Sequence, residues 1–277
     1  MKLIAIDLDG TLLNDEHKIS EENLRAIQAA QSNGHIVVIS TGRSLIDAKQ
    51  IVKNVGLNCP IIGGNGAIFF DGEKEINCYE LTPKTVKEIQ AIFEKHEAYY
   101  EIFTRKNIFF TTYGIDLLRK EASLVNDTNS ERIIDVQLGQ YGWTYMKPET
   151  ADHLDELGAY KFYSYSFIPE KLNRLMQELK LRSDISVDTS GVGKLEIAAP
   201  LVNKGNGLEY IAKYFQVPIT DTIAIGDNLN DLKMLTIAGI GVAMENGAAE
   251  AKEAADFITS TNNEHGVAKA IKKFVLN

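Results

Sequence analysis

The sequence predicts an α/β fold, with a Rossmann-like, doubly wound parallel sheet as its core and a second, inserted α+β domain. Near both ends of the chain, nearly continuous apolar runs alternate with helical patterns, as in parallel strands covered on both faces. Between them the composition changes, because 15 of the 23 aromatic residues lie between positions 83 and 187. A length of 277 residues is also compatible with two domains.

The N-terminal residues predict the first half of the core. Residues 3–8 (LIAIDL) and 35–40 (HIVVIS) are apolar enough for buried strands. Ser20 and Ser44 are suitable N-caps, so a helix is expected after each of them. Asp71-Gly72 separates two short apolar segments and suits the turn of a hairpin. The order of these elements is that of βαβ units followed by a hairpin.

The C-terminal residues predict the second half of the core. A helix near 205–215 precedes a strand at 222–227 (TIAIGD), and a further helix from about Leu229 precedes a strand at 239–244 (GIGVAM). We therefore expect the core to comprise residues 1–82 and 188–277.

The middle of the chain predicts the inserted domain, at residues 83–187. Thr82-Pro83 favours a helix start, with a capping hydroxyl and proline at the first helical position. Aromatic segments at 99–103, 107–113 and 160–167 favour strands. The alternative is one larger α/β domain with an aromatic-rich edge.

Charge and apolar patterning exclude several classes of function. The net charge of −9 argues against nonspecific binding to nucleic acid or anionic membranes, since both need clustered Lys and Arg. The longest apolar stretch, 237–244, is far shorter than the ~18 residues of a membrane span, and the first apolar run is too short for a signal peptide. Cys59 and Cys78 fit neither a disulfide framework nor a zinc site. We expect a cytoplasmic protein.

Two acidic clusters follow predicted buried strands. Asp7 and Asp9 end the first strand and point to the same side of an extended chain, and Asp227 and Asp231 follow the strand at 222–227. Ligands of open parallel sheets bind beyond the carboxyl ends of strands, and grouped carboxylates suit Mg²⁺. The structural alternatives are an Asx turn at the first cluster and, at the second, a helix capped by Asn228 with its N3 position acidic.

Two further segments could bind an anion. Thr41-Gly42-Arg43 offers a hydroxyl and backbone N–H groups at a strand–helix turn, which suits a phosphate, although an ordinary capped turn has the same pattern. Lys204 opens a predicted helix, where a positive charge opposes the helix dipole. That position favours a lysine placed for a charged site, whereas a solvated surface lysine is the alternative.

In combination, these segments resemble the haloacid dehalogenase superfamily of phosphotransferases. DLDGT (7–11), Thr41, Lys204 and GDNLND (226–231) stand in the order of that family's four motifs. The similarity is greater to the Cof-like branch, phosphatases with a large α/β cap inserted between the second and third motifs. Asn65-Gly66-Ala67 and Leu195-Glu196-Ile197 also look like that branch, so the resemblance extends over essentially the whole chain.

The resemblance implies a Mg²⁺-dependent phosphatase with an aspartyl-phosphate intermediate. Asp7 is then the nucleophile, and Asp9 is the general acid that later acts as the base. Mg²⁺ is then held by the Asp7 carboxylate, the Asp9 backbone carbonyl and Asp227, with Asp231 supporting. The implied ligands of the phosphoryl oxygens are Thr41, Gly42, Lys204 and Asn230. Arg43 suits a second anionic group or the cap, and a surface salt bridge is the alternative.

The implied substrate is a small phosphorylated metabolite, selected by cap residues. Sugar phosphates, pyridoxal phosphate and flavin nucleotides are all compatible with the sequence. A sugar phosphomutase of the same superfamily and a non-catalytic phosphometabolite-binding protein remain alternatives. The sequence predicts no oligomeric state.

Overall fold

The computed structural model describes residues 1–125, 129–139, 142–146 and 157–276. Two compact units share the chain. The core unit comprises Met1–Cys78 and Val202–Asn277, and the cap unit comprises Tyr79–Leu201.

The secondary structure alternates between strands and helices along most of the chain. The strands, in chain order, are β1 (Leu3–Ile6), β2 (Ile36–Ser40), β3 (Ile61–Gly63), β4 (Ile68–Phe70), β5 (Glu75–Cys78), β6 (Glu101–Thr104), β7 (Ile108–Phe110), β8 (Trp143–Tyr145), β9 (Ala159–Tyr165), β10 (Ser186–Asp188), β11 (Lys194–Ala198), β12 (Thr222–Gly226), β13 (Ile240–Met244) and β14 (Phe257–Thr259). The α-helices are α1 (Glu21–Ser32), α2 (Leu45–Asn54), α3 (Pro83–Lys95), α4 (Thr112–Val125), α5 (Ser130–Leu138), α6 (Pro169–Leu179), α7 (Lys204–Tyr214), α8 (Leu232–Ile237), α9 (Ala249–Ala254) and α10 (Gly266–Ile271).

The core unit is built on one eight-stranded sheet. Its strand order is β14-β13-β12-β1-β2-β3-β4-β5. The strands from β14 to β3 are all parallel, whereas β4 and β5 extend the sheet as an antiparallel hairpin. Because β1 lies between β2 and β12, the central strand of the sheet joins the two segments of chain that form this unit.

Helices cover both faces of the core sheet. Leu3 and Ala5 of β1 belong to a buried cluster with residues of α7 and α8, such as Leu208 and Met234. The alternate residues of β1 are equally buried and point to the opposite face, where α1 packs on β2 and α10. This arrangement confirms the predicted doubly wound fold.

The predicted helix caps are present in both units. The hydroxyls of Ser20, Ser44 and Thr82 accept hydrogen bonds from backbone N–H groups in the first turns of α1, α2 and α3. Each hydroxyl satisfies a donor that the helix itself leaves without an acceptor.

The cap unit has a separate six-stranded sheet in the order β10-β11-β9-β6-β7-β8. All of its neighbouring strands are antiparallel except β7 and β8. Ile102 and Phe162 pack with α3 and α6 on one face. Tyr99 and Phe110 pack with α4 and α5 on the other, so the cap unit has hydrophobic clusters of its own.

Three details differ from the sequence-based expectations. The cap unit begins at Tyr79, four residues before the expected start at residue 83. The boundary expected between residues 187 and 188 comes too early, because β10 and β11 pair with β9 in the cap sheet and the cap unit continues to Leu201. The segment 107–113 is a strand only as far as Phe110, and Thr112 already begins α4. Local β propensity of Thr and Tyr did not decide the conformation there.

Within the described ranges, no helix combines the length and apolar character needed to cross a bilayer.

Candidate active site

The carboxyl ends of three parallel strands bring the predicted motifs together. In β1, Ile6 lies opposite Ile39 of β2 and Ile225 of β12, so the chain leaves all three strands at one edge of the sheet. The N–H of Asp7 donates to the carbonyl of Ile225 at 3.0 Å, which fixes the first aspartate beside the end of β12. Asp227 follows β12 at the same edge.

Lys204 connects the two acidic clusters. Its side chain is completely buried, and Nζ donates to Oδ1 of Asp7 and to Oδ1 of Asp231, both at 2.6 Å. Asn203 caps α7 and thereby places Lys204 at the first helical position. The position of Lys204 at a helix start, which is unfavourable for the helix dipole, is therefore explained by its role as the buried counter-ion of two carboxylates.

Asp231 has a structural role as well as a place in this cluster. Its Oδ2 accepts hydrogen bonds from the N–H groups of Asp227 and Asn228, at 2.9 and 3.0 Å. Asn228 in turn caps the short 3₁₀ turn Leu229–Asp231. The capped-turn alternative is thus correct, and the other oxygen of the same carboxylate binds Lys204.

Asp227 is held by the loop that follows β1. The hydroxyl of Thr11 donates to its Oδ1 at 2.9 Å. Gly10 has a left-handed φ of 78°, and a Cβ at this position would lie 2.4 Å from Oδ2 of Asp227. Glycine is therefore required here both for the backbone conformation and for the close approach of the carboxylate.

The cluster carries more negative than positive charge. Asp7, Asp227 and Asp231 each offer one oxygen within 4.8 Å of the others, and Lys204 supplies a single positive charge. Burial, with added repulsion from Asp231 and Asp227, raises the pKa of Asp7 well above its usual value. Burial and the charge of Asp231 raise the pKa of Asp227 to about 6. Burial opposes the charge on Lys204, but Asp231 and Asp7 outweigh it and raise the pKa of the lysine.

These residues fit a divalent cation. When all three carboxylates are ionised, they and one ammonium leave two uncompensated negative charges. Carboxylate oxygens are the donors that hard cations prefer. A cation here would also offset the burial and mutual repulsion that raise the pKa of Asp7 and Asp227.

Thr41 and Gly42 form the turn between β2 and α2. The N–H of Thr41 donates to the carbonyl of Ile62 at 2.8 Å, and its hydroxyl accepts from the N–H of Arg43 at 3.1 Å. Thr41 is buried, whereas Gly42 is partly exposed. The turn leads directly into α2, as expected for an anion-binding turn.

Arg43 lies against two carboxylates of the core unit. Its Nε and one terminal nitrogen donate to the two oxygens of Asp9, each at 2.7 Å, and its other terminal nitrogen donates to Asp47 at 2.6 Å. The Asp9 carboxylate therefore lies with Arg43 and is not part of the carboxylate group around Lys204. Among the alternatives for Arg43, the structure shows an ion pair, and Asp47 is a partner that the sequence analysis did not identify.

Asn230 contacts a residue to which the sequence analysis gave no role. Its Nδ2 donates to Oδ1 of Asn65 at 3.1 Å. Asn65 follows β3 with a left-handed φ of 60°, a conformation that few residues except Gly and Asn adopt. The dipeptide Asn65-Gly66 was the only sequence signal for this loop.

Known proteins resemble this chain over nearly its whole length. A profile of the family described as haloacid dehalogenase-like hydrolase matches residues 4–271. Phosphatase YwpJ of Bacillus subtilis is 36% identical over 282 residues, with 98% of this chain and 99% of the relative covered. The 5-amino-6-(5-phospho-D-ribitylamino)uracil phosphatase YwtE of the same organism is 34% identical, with 99% and 98% covered. These relatives confirm the predicted phosphatase class of enzyme.

Solved structures of related proteins have the same fold as this chain. A haloacid dehalogenase-like hydrolase from B. subtilis superposes with a TM-score of 0.87 and 35% identity, covering 98% of this chain and 99% of its own. A protein from Thermotoga maritima gives a TM-score of 0.78 and 27% identity, with 98% and 97% covered. The match of sequence, fold and motif order confirms the resemblance to the Cof-like branch, and the chain belongs to the haloacid dehalogenase-like hydrolase family.

Proposed function

We propose that this protein is a Mg²⁺-dependent phosphatase that hydrolyses a small phosphorylated metabolite through an aspartyl-phosphate on Asp7. The observation that carries the proposal is the group of buried Asp7, Asp231 and Lys204 with half-buried Asp227, which has a surplus of two negative charges when its carboxylates are ionised. Such a group is costly for a fold to keep unless a cation offsets its charge, and a bound cation would in turn attract an anionic substrate.

In the first step, the Asp7 carboxylate attacks phosphorus. Lys204 holds one oxygen of this carboxylate at 2.6 Å and so fixes its orientation. As the bond between Asp7 and phosphorus forms, the bond to the alcohol oxygen breaks. Asp9, which must be protonated and turned away from Arg43 for this step, gives its proton to that oxygen. Asp9 is half exposed, so substrate can reach it.

In the second step, water releases phosphate from Asp7. Asp9, now ionised, takes a proton from the water as it attacks phosphorus, and the bond between phosphorus and the Asp7 oxygen breaks. Asp9 thereby regains the proton that it gave in the first step, and Asp7 returns as a free carboxylate. The net reaction is hydrolysis of a phosphoric monoester.

We propose that neutral hydrogen-bond donors and Lys204 bind the phosphoryl group. We assign the hydroxyl of Thr41, the N–H of Gly42 and the carboxamide of Asn230 to the phosphoryl oxygens. Preorganised donors of this kind supply most of the catalysis in phosphoryl transfer. Mg²⁺, held by Asp7 and Asp227 with the Asp9 carbonyl and supported by Asp231, supplies charge neutralisation and Lewis acidity when bound.

We assign substrate selection to the cap unit, Tyr79–Leu201. It interrupts the core between the motifs at Thr41 and Lys204, as the cap does in the Cof-like branch. Three relatives between 31% and 34% identical carry the name of a ribitylaminouracil-phosphate phosphatase. That compound therefore joins sugar phosphates, pyridoxal phosphate and flavin nucleotides as a substrate to be tested.

Asp7→Asn tests the proposal. The amide keeps the size of the carboxylate but cannot act as the nucleophile, so turnover of 4-nitrophenyl phosphate with Mg²⁺ should fall at least a thousandfold. Chelation of Mg²⁺ should abolish turnover by the unmodified protein. Asp221→Asn is the matched control, because Asp221 is exposed on the core unit and should be replaceable without effect. Undiminished turnover by the Asp7 variant would refute the assignment.

A further inference from the structure

Asn65 lies between two groups that we assign to phosphate binding. Its Oδ1 accepts a hydrogen bond from Nδ2 of Asn230 at 3.1 Å. The same oxygen would be 3.0 Å from a Cβ built on Gly42, so the carboxamide also lies against the backbone of the anion-binding turn. Asn65 is itself nearly buried.

The backbone around Asn65 is fixed to that turn. The N–H of Asn65 donates to the carbonyl of Thr41, and the N–H of Gly64 donates to the carbonyl of Arg43, both at 2.9 Å. These two hydrogen bonds bracket Gly42. The main chain of Asn65 is therefore fixed relative to Gly42, and its carboxamide extends from a backbone that is held in place.

The same loop touches the start of α7. Gly66 has a φ of 102°, and a Cβ there would lie 2.5 Å from the carbonyl oxygen of Asn203, the residue before Lys204. The loop of residues 63–67 thus contacts the segments that carry Thr41, Lys204 and Asn230. Each of these segments contributes at least one assigned ligand of the phosphoryl group.

The hydrogen bond between the two asparagines has a direction that matters for an anion. A carboxamide presents donors on its nitrogen and an acceptor on its oxygen, and a half-turn of the side chain exchanges them. Because Oδ1 of Asn65 accepts one N–H of Asn230, the nitrogen of the Asn230 carboxamide must face Asn65. In this orientation the second N–H of the same nitrogen can donate to the phosphoryl group. The opposite orientation would set a carbonyl oxygen against a phosphoryl oxygen, which is repulsive.

We infer that Asn65 is a positioning residue of the phosphate site, which orients the carboxamide of Asn230 as a donor. The inference rests on the proposed function, because it needs Asn230 to bind a phosphoryl oxygen. Asn65 acts through Asn230, so its contribution should disappear when the Asn230 side chain is removed.

Asn65→Gly is the decisive variant. Glycine accepts the left-handed backbone at this position and removes only the carboxamide, so the fold should be retained. We expect kcat/KM with 4-nitrophenyl phosphate to fall about ten- to a hundredfold, as for the loss of a hydrogen bond to a charged group. The inhibition constant of inorganic phosphate should rise by a similar factor. Asn230→Ala should cause losses of the same size.

A double-mutant cycle separates positioning from a general structural effect. If Asn65 acts through Asn230, the double variant N65G/N230A should match N230A within about twofold. Gln216→Gly is the matched control, because Gln216 is exposed and also has a left-handed φ, of 57°. It should leave both constants unchanged. Thermal unfolding of each variant identifies any loss of fold.

Asn65→Asp provides a second readout. It keeps the acceptor for Asn230 and tolerates the left-handed backbone, but it places a negative charge beside the anion. We expect KM and the inhibition constant of phosphate to rise, with kcat reduced less than in N65G.

Three results would overturn the inference: unchanged constants in N65G, losses that multiply in N65G/N230A, or an unaltered KM in N65D. Full activity of the Asp7→Asn variant would instead remove the proposed function itself, so the two failures are distinguishable.

Discussion

Replacing Lys204 by Met tests the energetics of the buried charge cluster. The methionine keeps the length and the apolar part of the side chain but removes the positive charge that lies 2.6 Å from both Asp7 and Asp231. Loss of one partner of a buried ion pair costs about 3–5 kcal/mol, because the other partner stays buried without compensation. For a chain of this size, that corresponds to a fall in melting temperature of roughly 6–20 °C.

The pH dependence of that loss has a definite sign. In the variant, Asp7 and Asp231 lack their counter-ion. Burial already raises the pKa of Asp7, so protonation of Asp7 at lower pH removes part of the uncompensated charge. The melting temperatures of variant and wild-type protein should therefore converge as the pH falls towards 4, and also when excess Mg²⁺ is added.

The assay is differential scanning calorimetry over pH 4–8, with and without Mg²⁺. Lys213→Met is the matched control, since Lys213 is exposed on the same helix, α7. The argument would be refuted if the Lys204 variant had the same melting temperature as the Lys213 control at every pH. A deficit of constant size across the pH range would refute it as well, because the loss would then come from packing and not from charge.

Further predictions concern other charged and conformationally restricted positions. Arg43→Lys keeps the charge but cannot reach Asp9 and Asp47 together, so we expect kcat/KM to fall equally for phosphate esters with and without a second anionic group; a loss confined to the former would show instead that Arg43 binds substrate. Gly10→Ala should weaken Mg²⁺ binding at least tenfold by calorimetric titration, because its Cβ would displace the Asp227 carboxylate; unchanged affinity would contradict this. Burial raises the pKa of Glu101 to about 8, so stability should fall as the pH rises from about 4.5 through 8. Glu101→Gln should remove that slope in denaturant titrations, and a persisting slope would assign it to another group.

Much of the fold was predictable because its signals are local. Apolar runs identified the core strands, and the capping residues Ser20, Ser44 and Thr82 identified helix starts by a hydrogen bond within the first turn. The second domain boundary was not predictable in this way. Residues 194–198 belong to the cap because they pair with β9. This contact is long-range, so neither composition nor hydrophobic periodicity could have predicted it.

In the candidate site, too, local features could be predicted from the sequence and long-range contacts could not. The acidic residues and Lys204 could be singled out because each is unusual in its local setting, and the family resemblance implied their roles. The ion pair of Arg43 with Asp9 could not be foreseen, since Asp9 is distant in sequence and the choice among a substrate, the cap and a carboxylate is made by tertiary structure. The pair with Asp47 spans only four residues, but its spacing alone did not identify it. Asn65 was missed as a functional residue for a related reason. Its importance depends on the orientation of another side chain, and no sequence pattern encodes that orientation.

The central position of β1 has a consequence for biosynthesis. Its two neighbours come from different ends of the chain, since β2 follows soon after it and β12 is made only after the whole cap unit. During synthesis on the ribosome, one edge of β1 therefore stays unpaired until β12 has been synthesised. An unpaired apolar edge is prone to association with other chains. Early folding of the cap does not shorten this interval, so newly made chains should expose this edge until residues 222–226 have emerged.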